Sequence, residues 1–215
     1  MSNDINVLKR DGTKEPYDLE KVHKMVEFAV EGLAGVSASQ VEIQSGLQLC
    51  DGITSADIQE ILIKSASDLI SEENPNYQFV AARLLLFGLR KAVHGHPEIL
   101  PPLLKHIKGC VDKGVYDSAI VNRYSEEEWN RIDSFVDHGR DYLFTYAGLR
   151  QVVDKYLVQD RSTGEHYESP QQMYIMIAAT LFANYPKETR LDYVRRYYNA
   201  ISTHRINIPT PIMGG

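Results

Sequence analysis

Apolar residues recur at three- and four-residue spacing along most of this chain, and every run that reads as a strand is short. That periodicity makes the fold mainly α, with β structure limited to small hairpins and edges. Val22, Met25, Val26, Ala29 and Leu33 form one such stripe behind Asp18, which stands where an N-cap belongs. Ser37–Gln44 reads as a short helix. Thr54 and Asp57 make a T-x-x-D capping box before Ile58, Ile61, Leu62, Ser65, Ala66 and Leu69. Asn74-Pro75 breaks the pattern. It resumes with Tyr77, Val80, Ala81, Leu84 and Phe87, extends one more turn to Lys91, and ends near Gly95. Asn6–Arg10, the Asp11-Gly12 turn and Thr13–Tyr17 spell a hairpin whose Pro16 must lie on an edge. Leu47–Cys50 reads as a further short strand closed by Asp51-Gly52.

His96–Pro102 carries three prolines and reads as a connector, so residues 1–95 form one unit. Residues 96–205 form a second, helical segment. It holds helices at Leu103–Asp112, behind a Ser125–Glu128 capping box, and at Thr189–Thr203 with Leu191, Val194, Tyr198 and Ile201 inward. Tyr156–Gln159 and Glu165–Tyr167 flank a turn ending in Gly164, a second hairpin. Ser169-Pro170-Gln171-Gln172 opens a helix, Met173–Phe182, that is apolar nearly all round and therefore buried. Residues 206–215 are apolar and Pro-restricted, and read as a strand entering a domain that the chain does not contain.

The 215 residues carry a net charge of −6, which argues against a general nucleic-acid binder. No apolar run reaches the length of a membrane span, and the N-terminus has no signal-peptide core. Cys50 and Cys110 stand in no metal-binding pattern and read as two buried, reduced thiols of a cytoplasmic protein. Neither a G-x-S-x-G elbow, a Walker loop nor an HExxH motif occurs. His94 and His96 lack the cysteines or carboxylates that a metal site needs. Asp137-His-Gly-Arg-Asp141 reads as a buried hydrogen-bond network rather than an active-site loop.

The residues with most chemical content are Lys9, Arg10 and Lys21. Two cations end a strand and the third sits in the first turn of a helix, an arrangement that holds phosphate. Glu15 is placed to accept a hydrogen bond from an exocyclic amine such as that of adenine. Lys91 extends an apolar stripe beside Phe87, which can pack on a base. Ser55 and Gln59 lie one turn apart at another helix start. Each has a plainer reading as well: a solvated turn, a lysine snorkelling at a helix end, ordinary capping.

Val7-Leu-Lys-Arg-Asp-Gly12, Asp18-Leu-Glu-Lys21, Asp51-Gly-Ile53 with Asp57-Ile58, and Ala81-Ala-Arg-Leu84 resemble the ATP-cone module. Phe135–Asp141, Lys155–Gln159, Tyr185–Leu191 and Pro209-Thr-Pro-Ile-Met213 resemble the large (α) subunit of class I ribonucleotide reductase, in order along the chain. The resemblance implies a four-helix bundle capped by a small three-stranded sheet, an all-helical segment with a hairpin, and then the start of an α/β barrel. It implies ATP or dATP, with Mg²⁺, as activating and inhibiting effectors. Lys9, Arg10, Lys21 and Lys91 would face phosphates or ribose, Glu15 and Asp18 would read adenine, and Phe87 would line the pocket. Pro16, Tyr17, Leu19, Glu20, Ser55 and Gln59 complete the implied site. Thr210 matches a threonine at the substrate phosphate, and no catalytic residue falls within the chain. The whole enzyme would reduce ribonucleoside diphosphates, with a small (β) subunit, thioredoxin or glutaredoxin, and self-association of the large subunit. Asp18, Ser55 and Gln59 depart from the Asn, Thr and His often found there, which predicts weaker discrimination between ATP and dATP. A free-standing nucleotide sensor lacks support, since two cysteines cannot build the zinc ribbon of cone-bearing repressors. A helical interaction module that binds no nucleotide is the other alternative.

Overall fold

The computed structural model describes residues 5–9, 12–46 and 50–213, and these fall into two compact units. The first takes residues up to 88 together with 144–150; the second takes 89–143 and 151 onward.

In the first unit, β1 (Asn6–Leu8), β2 (Lys14–Pro16) and β3 (Ile53–Thr54) form a sheet in the order β2-β1-β3. β1 pairs antiparallel with β2 (Val7 opposite Glu15) and parallel with β3 (Val7 opposite Ile53). Pro16 lies on the outer strand, where its missing N–H costs no ladder bond. The hairpin closes through Lys9 N–H to Thr13 O at 2.8 Å, with Gly12 in the left-handed region. Arg10 and Asp11 lie outside the described residues. So do residues 47–49 of the strand expected at Leu47–Cys50; Cys50 is in no strand, and the third strand follows Asp51-Gly52 instead. The cause is Asp51. Its carboxylate accepts the Asn6 backbone N–H at 2.8 Å and the Asn6 amide at 3.1 Å, and Gly52 N–H reaches Asn6 O at 2.9 Å. These bonds set the pairing register at Ile53.

Four helices accompany this sheet: α1 (Leu19–Val30), α2 (Ala38–Gly46), α3 (Ser55–Asp68) and α4 (Tyr77–His94), the last belonging to this unit as far as Gly88. α2 lies against both α1 and α3. Val26, Val41, Leu62, Ile63, Ala66, Val80, Ala81 and Leu84 are essentially sealed from water and make the core. Two polar ties join the elements. The Tyr77 hydroxyl accepts Ser37 N–H at 3.0 Å and donates to Gln40. Arg83 donates to Ala29 O and Glu31 O at 3.2 and 2.7 Å, satisfying carbonyls that the end of α1 leaves open.

The second unit contains α5 (Leu103–Asp112), α6 (Glu126–Asp133), part of α7 (Tyr146–Lys155), β4 (Gln159–Asp160) paired with β5 (Glu165–His166), α8 (Pro170–Phe182), α9 (Lys187–Ser202) and α10 (Thr210–Met213). Short 3₁₀ segments cover Ser118–Arg123 and His138–Leu143. α8 is buried on nearly every side, as its composition requires, and packs on α9. Of the polar stretch Asp137–Asp141, Asp141 lies in a buried network, whereas Asp137 and Gly139 are exposed. Arg90 reaches Asp141 at 2.7 Å and His138 O at 2.6 Å. Gln171 donates to Asp141 at 2.9 Å and accepts from the Tyr198 hydroxyl at 2.7 Å. Arg190 makes a second network, gripping both oxygens of Glu128 at 2.8 and 2.5 Å over the Tyr124 ring.

Two expectations fail. Residues 210–213 form one helical turn, not a strand, because the fixed φ of Pro211 suits a first helical turn and Met213 N–H closes back on Pro209 O. Cys110 is buried, but Cys50 is exposed, since it leads into the surface turn at Asp51-Gly52.

His94, His106 and His138 are each pushed down to about 4, by burial first. Each is therefore neutral in the fold where an unfolded histidine is charged, and between pH 4 and 6.5 the unfolded chain binds more protons. Stability from these groups rises with pH across that window. Glu168, buried and pushed up to about 7, acts oppositely: its contribution is present at low pH and is lost as pH rises from 4.5 to 7. Asp141 is shifted in the same sense, whereas Glu128, held down through Arg190 and Ser125, adds to the histidine direction. We expect a higher urea midpoint at pH 6.5 than at pH 4.5, and a wider gap in Glu168→Gln. A midpoint that falls across this range in the parent contradicts the assignment.

Candidate functional site

Several of the residues singled out in the sequence lie on β1, β2 or the helix starts that follow β2 and β3. β2 runs directly into α1, and β3 directly into α3. Because β2 is antiparallel to β1 and β3 parallel, the two helix starts lie at opposite ends of a strand roughly 7 Å long. Asp18 caps α1, accepting Lys21 N–H at 3.1 Å, while the Lys21 ammonium approaches its other oxygen at 3.3 Å. The Lys21 backbone N–H is the main cause that holds the Asp18 carboxyl below its usual range. Leu19 and Glu20, the next two residues, are exposed. Tyr17 is half-buried, its phenol shifted upward by burial and then by Glu42; Pro16 is exposed.

At the other end, Lys9 bonds Glu15 at 3.0 Å across the hairpin. Leu8 is paired with Thr54, so Lys9 and Ser55 are the residues that follow in register. Thr54 caps α3 in a closed box: its hydroxyl accepts Asp57 N–H at 3.0 Å and donates to the Asp57 carboxylate at 2.6 Å. Ser55 is half-buried at the first position of α3. One turn on, Gln59 is half-buried and its amide donates to Leu84 O of α4 at 2.7 Å. On α4, Phe87 is half-buried and Lys91, one turn further, is exposed. Arg10 lies outside the described residues. Thr210 begins α10 and shares a 3.1 Å hydrogen bond with the Tyr156 hydroxyl.

The lysines fit a phosphate chain. Lys9 and Lys21 are held by exposed carboxylate partners, and such pairs contribute at most about 1 kcal/mol, so an incoming polyanion can take them over. The α1 start adds the partial positive charge of its open N–H groups. Among the described residues, no three His, Cys, Asp or Glu side chains gather as a metal site, and no helix is long and apolar enough to cross a membrane. Sequence reasoning missed three participants: Asp51, which fixes the register of β3; the Leu84 carbonyl that holds Gln59; and Gly88, whose only signal was a glycine inside a helical stripe.

Residues 5–92 match the ATP cone domain, and residues 142–215 match the ribonucleotide reductase all-alpha domain. Over its 215 residues the chain is 51% identical to the ribonucleoside-diphosphate reductase subunit alpha of Haemophilus influenzae. It is 51% identical over the same length to the ribonucleoside-diphosphate reductase 1 subunit alpha of Escherichia coli. The subunit alpha of Enterobacteria phage T4 is 43% identical over 213 residues, 98% of the chain. This chain is homologous to the N-terminal region of class I ribonucleotide reductase alpha subunits. It spans 28% of the length of each of these three relatives.

The cone makes an adenine nucleotide the effector of this region. Its hairpin, α1, α3 and α4 carry the residues described above, Thr210 of α10 apart. Asp18 has a structural duty in the cone that is separable from ligand recognition. Asn caps helices as well as Asp does, so Asp18→Asn should leave the thermal midpoint unchanged, whereas Asp18→Ala should lower it by about a few degrees. Equal loss in both variants, followed by circular dichroism, would show that the carboxylate charge and not the cap matters.

Proposed function

We propose that this region sets the overall activity of a ribonucleoside-diphosphate reductase by binding ATP, which activates, or dATP, which inhibits, each with Mg²⁺. Residues 1–95 form the sensing domain, 96–205 the helical segment and 206–215 the start of the catalytic barrel. The observation that carries this reading is the pair of weakly held lysines, half-buried Lys9 just past the end of β1 and exposed Lys21 in the first turn of α1. In this reading Lys9, Arg10, Lys21 and Lys91 face phosphates or ribose. Glu15 and Asp18 recognise the adenine edge, and Phe87 lines the base pocket. Pro16, Tyr17, Leu19 and Glu20 shape the strand-to-helix corner, and Ser55 and Gln59 meet the ribose. Displacing Glu15 and Asp18 from their lysines frees these carboxylates to accept hydrogen bonds just as the phosphates arrive.

The whole enzyme would work in the cytoplasm, reducing ribonucleoside diphosphates to deoxyribonucleotides. A small (β) subunit would supply the radical, and thioredoxin or glutaredoxin the electrons. Self-association of the large subunit would accompany inhibition. Thr210 would meet the substrate phosphate from the start of the barrel.

Calorimetric titration of this chain with Mg-ATP and Mg-dATP tests the proposal. Lys9→Ala and Lys91→Ala should each weaken binding about tenfold to a hundredfold, because hydrogen bonds to charged groups contribute about 1.5–3 kcal/mol. Lys64→Ala is the control, since Lys64 is exposed on α3 and pairs there with Asp68. No heat with either nucleotide at millimolar concentration, or equal losses in all three variants, would refute the site.

A further inference from the structure

Gly88 is a glycine that its own backbone does not require. It lies inside α4, and its φ is not in the left-handed region where glycine is favoured. Glycine is among the poorest residues for a helix interior, so its presence calls for another cause. Space is the cause the structure offers. A Cβ on Gly88 would lie 3.0 Å from Gln59 Cγ, 3.4 Å from Cδ and 3.7 Å from Nε2. The Gln59 side chain, rising from α3, rests in the notch that Gly88 leaves, and its amide donates to Leu84 O at 2.7 Å. Leu84 is one helical turn before Gly88, so contact and hydrogen bond hold the same side chain from two points.

We propose that Gly88 and Gln59 form a latch that fixes the ribose-reading group of the cone, making Gly88 a specificity-determining residue. This rests on the nucleotide site proposed above. A glutamine loose in solvent would lose rotamer entropy on meeting a ligand and would discriminate poorly. The latched glutamine has lost that freedom already. Its Nε2 is committed to Leu84 O, so its Oε1 is presented as an oriented acceptor. The hydroxyl that ATP has and dATP lacks, on the ribose 2′ carbon, is a donor of the kind this acceptor takes. A Cβ at position 88 makes the Gln59 side chain give by a few tenths of an ångström, away from the position in which its amide meets Leu84 O. The group that must yield is a flexible side chain and not backbone, so Gly88→Ala keeps the helix and loosens the latch.

The test is a double-mutant cycle on the full chain, titrating ATP and dATP into the parent, Gly88→Ala, Gln59→Ala and the double variant, with side-chain amide NMR of the unliganded proteins alongside. Gly88→Ala and Gln59→Ala should each lower the preference for ATP over dATP by about threefold to tenfold, and the double variant should lower it no further. Without nucleotide, the Gln59 side-chain amide should show slowed hydrogen exchange in the parent and fast exchange in Gly88→Ala. Additive effects in the cycle, or unchanged preference in Gly88→Ala, overturn the role in discrimination. An amide that exchanges identically in parent and Gly88→Ala overturns the latch itself, whatever the nucleotides do. A parent that binds neither nucleotide removes the site and with it the ribose role, and the NMR comparison then decides the latch alone.

Discussion

β1 is three residues long, and the strands that lead into α1 and α3 lie on its two sides. Its backbone holds β2 on one edge and β3 on the other, and each of those strands delivers a helix start. A sheet this small has little stability of its own. Val7 and Ile53, both nearly buried, tie it to the helical core below, where each buried aliphatic side chain contributes about 1.5–3 kcal/mol. The hydrogen bonds from Asp51 to Asn6 then choose one register out of several that a two-residue strand could accept. Without that choice, Ser55 and Gln59 would have no defined position relative to Lys9.

The two units use charge in opposite ways. The first unit keeps most of its ion pairs at the surface, where water and salt screen them and an anion can re-pair them at small cost. The second unit buries Arg90 with Asp141 and, less completely, Arg190 with Glu128. A buried pair is tolerated only when its remaining donors and acceptors are also met, and Gln171, the His138 carbonyl and the Ala183 carbonyl meet several of them. Such a network tolerates no change of partner, which suits a scaffold, whereas a sensor needs partners that can be exchanged.

Much of this was legible in the sequence, for identifiable reasons. Capping boxes at Thr54, Ser125 and Ser169, and the Asp18 cap, announced helix starts because side chains three residues apart must serve orphan N–H groups. The burial of α8 followed from an apolar surface with no polar face. What could not be read were effects of residues distant in sequence. The strand at Ile53–Thr54 was not foreseen because its register is set by Asp51 meeting Asn6, 45 positions away. Gln59 read as a flexible surface side chain because its anchor, Leu84 O, is a backbone atom of another helix, and backbone carbonyls carry no sequence signature. The helical turn at 210–213 was hidden because proline suits an extended chain and a first helical turn equally.

Pro16 has a consequence for how copies of this protein can meet. β2 is the outer strand of its sheet, and a bare outer strand invites another chain to add to it edge to edge. Here that strand is three residues long, wholly exposed, and carries a lysine, a glutamate and a proline in succession. The proline cannot donate to an incoming strand, and the charges resist burial in one. The hairpin can thus stand open to solvent without becoming a template for aggregation. Any association through this edge must then be made by side chains, whose chemistry a bound nucleotide can alter, and not by a backbone ladder indifferent to it.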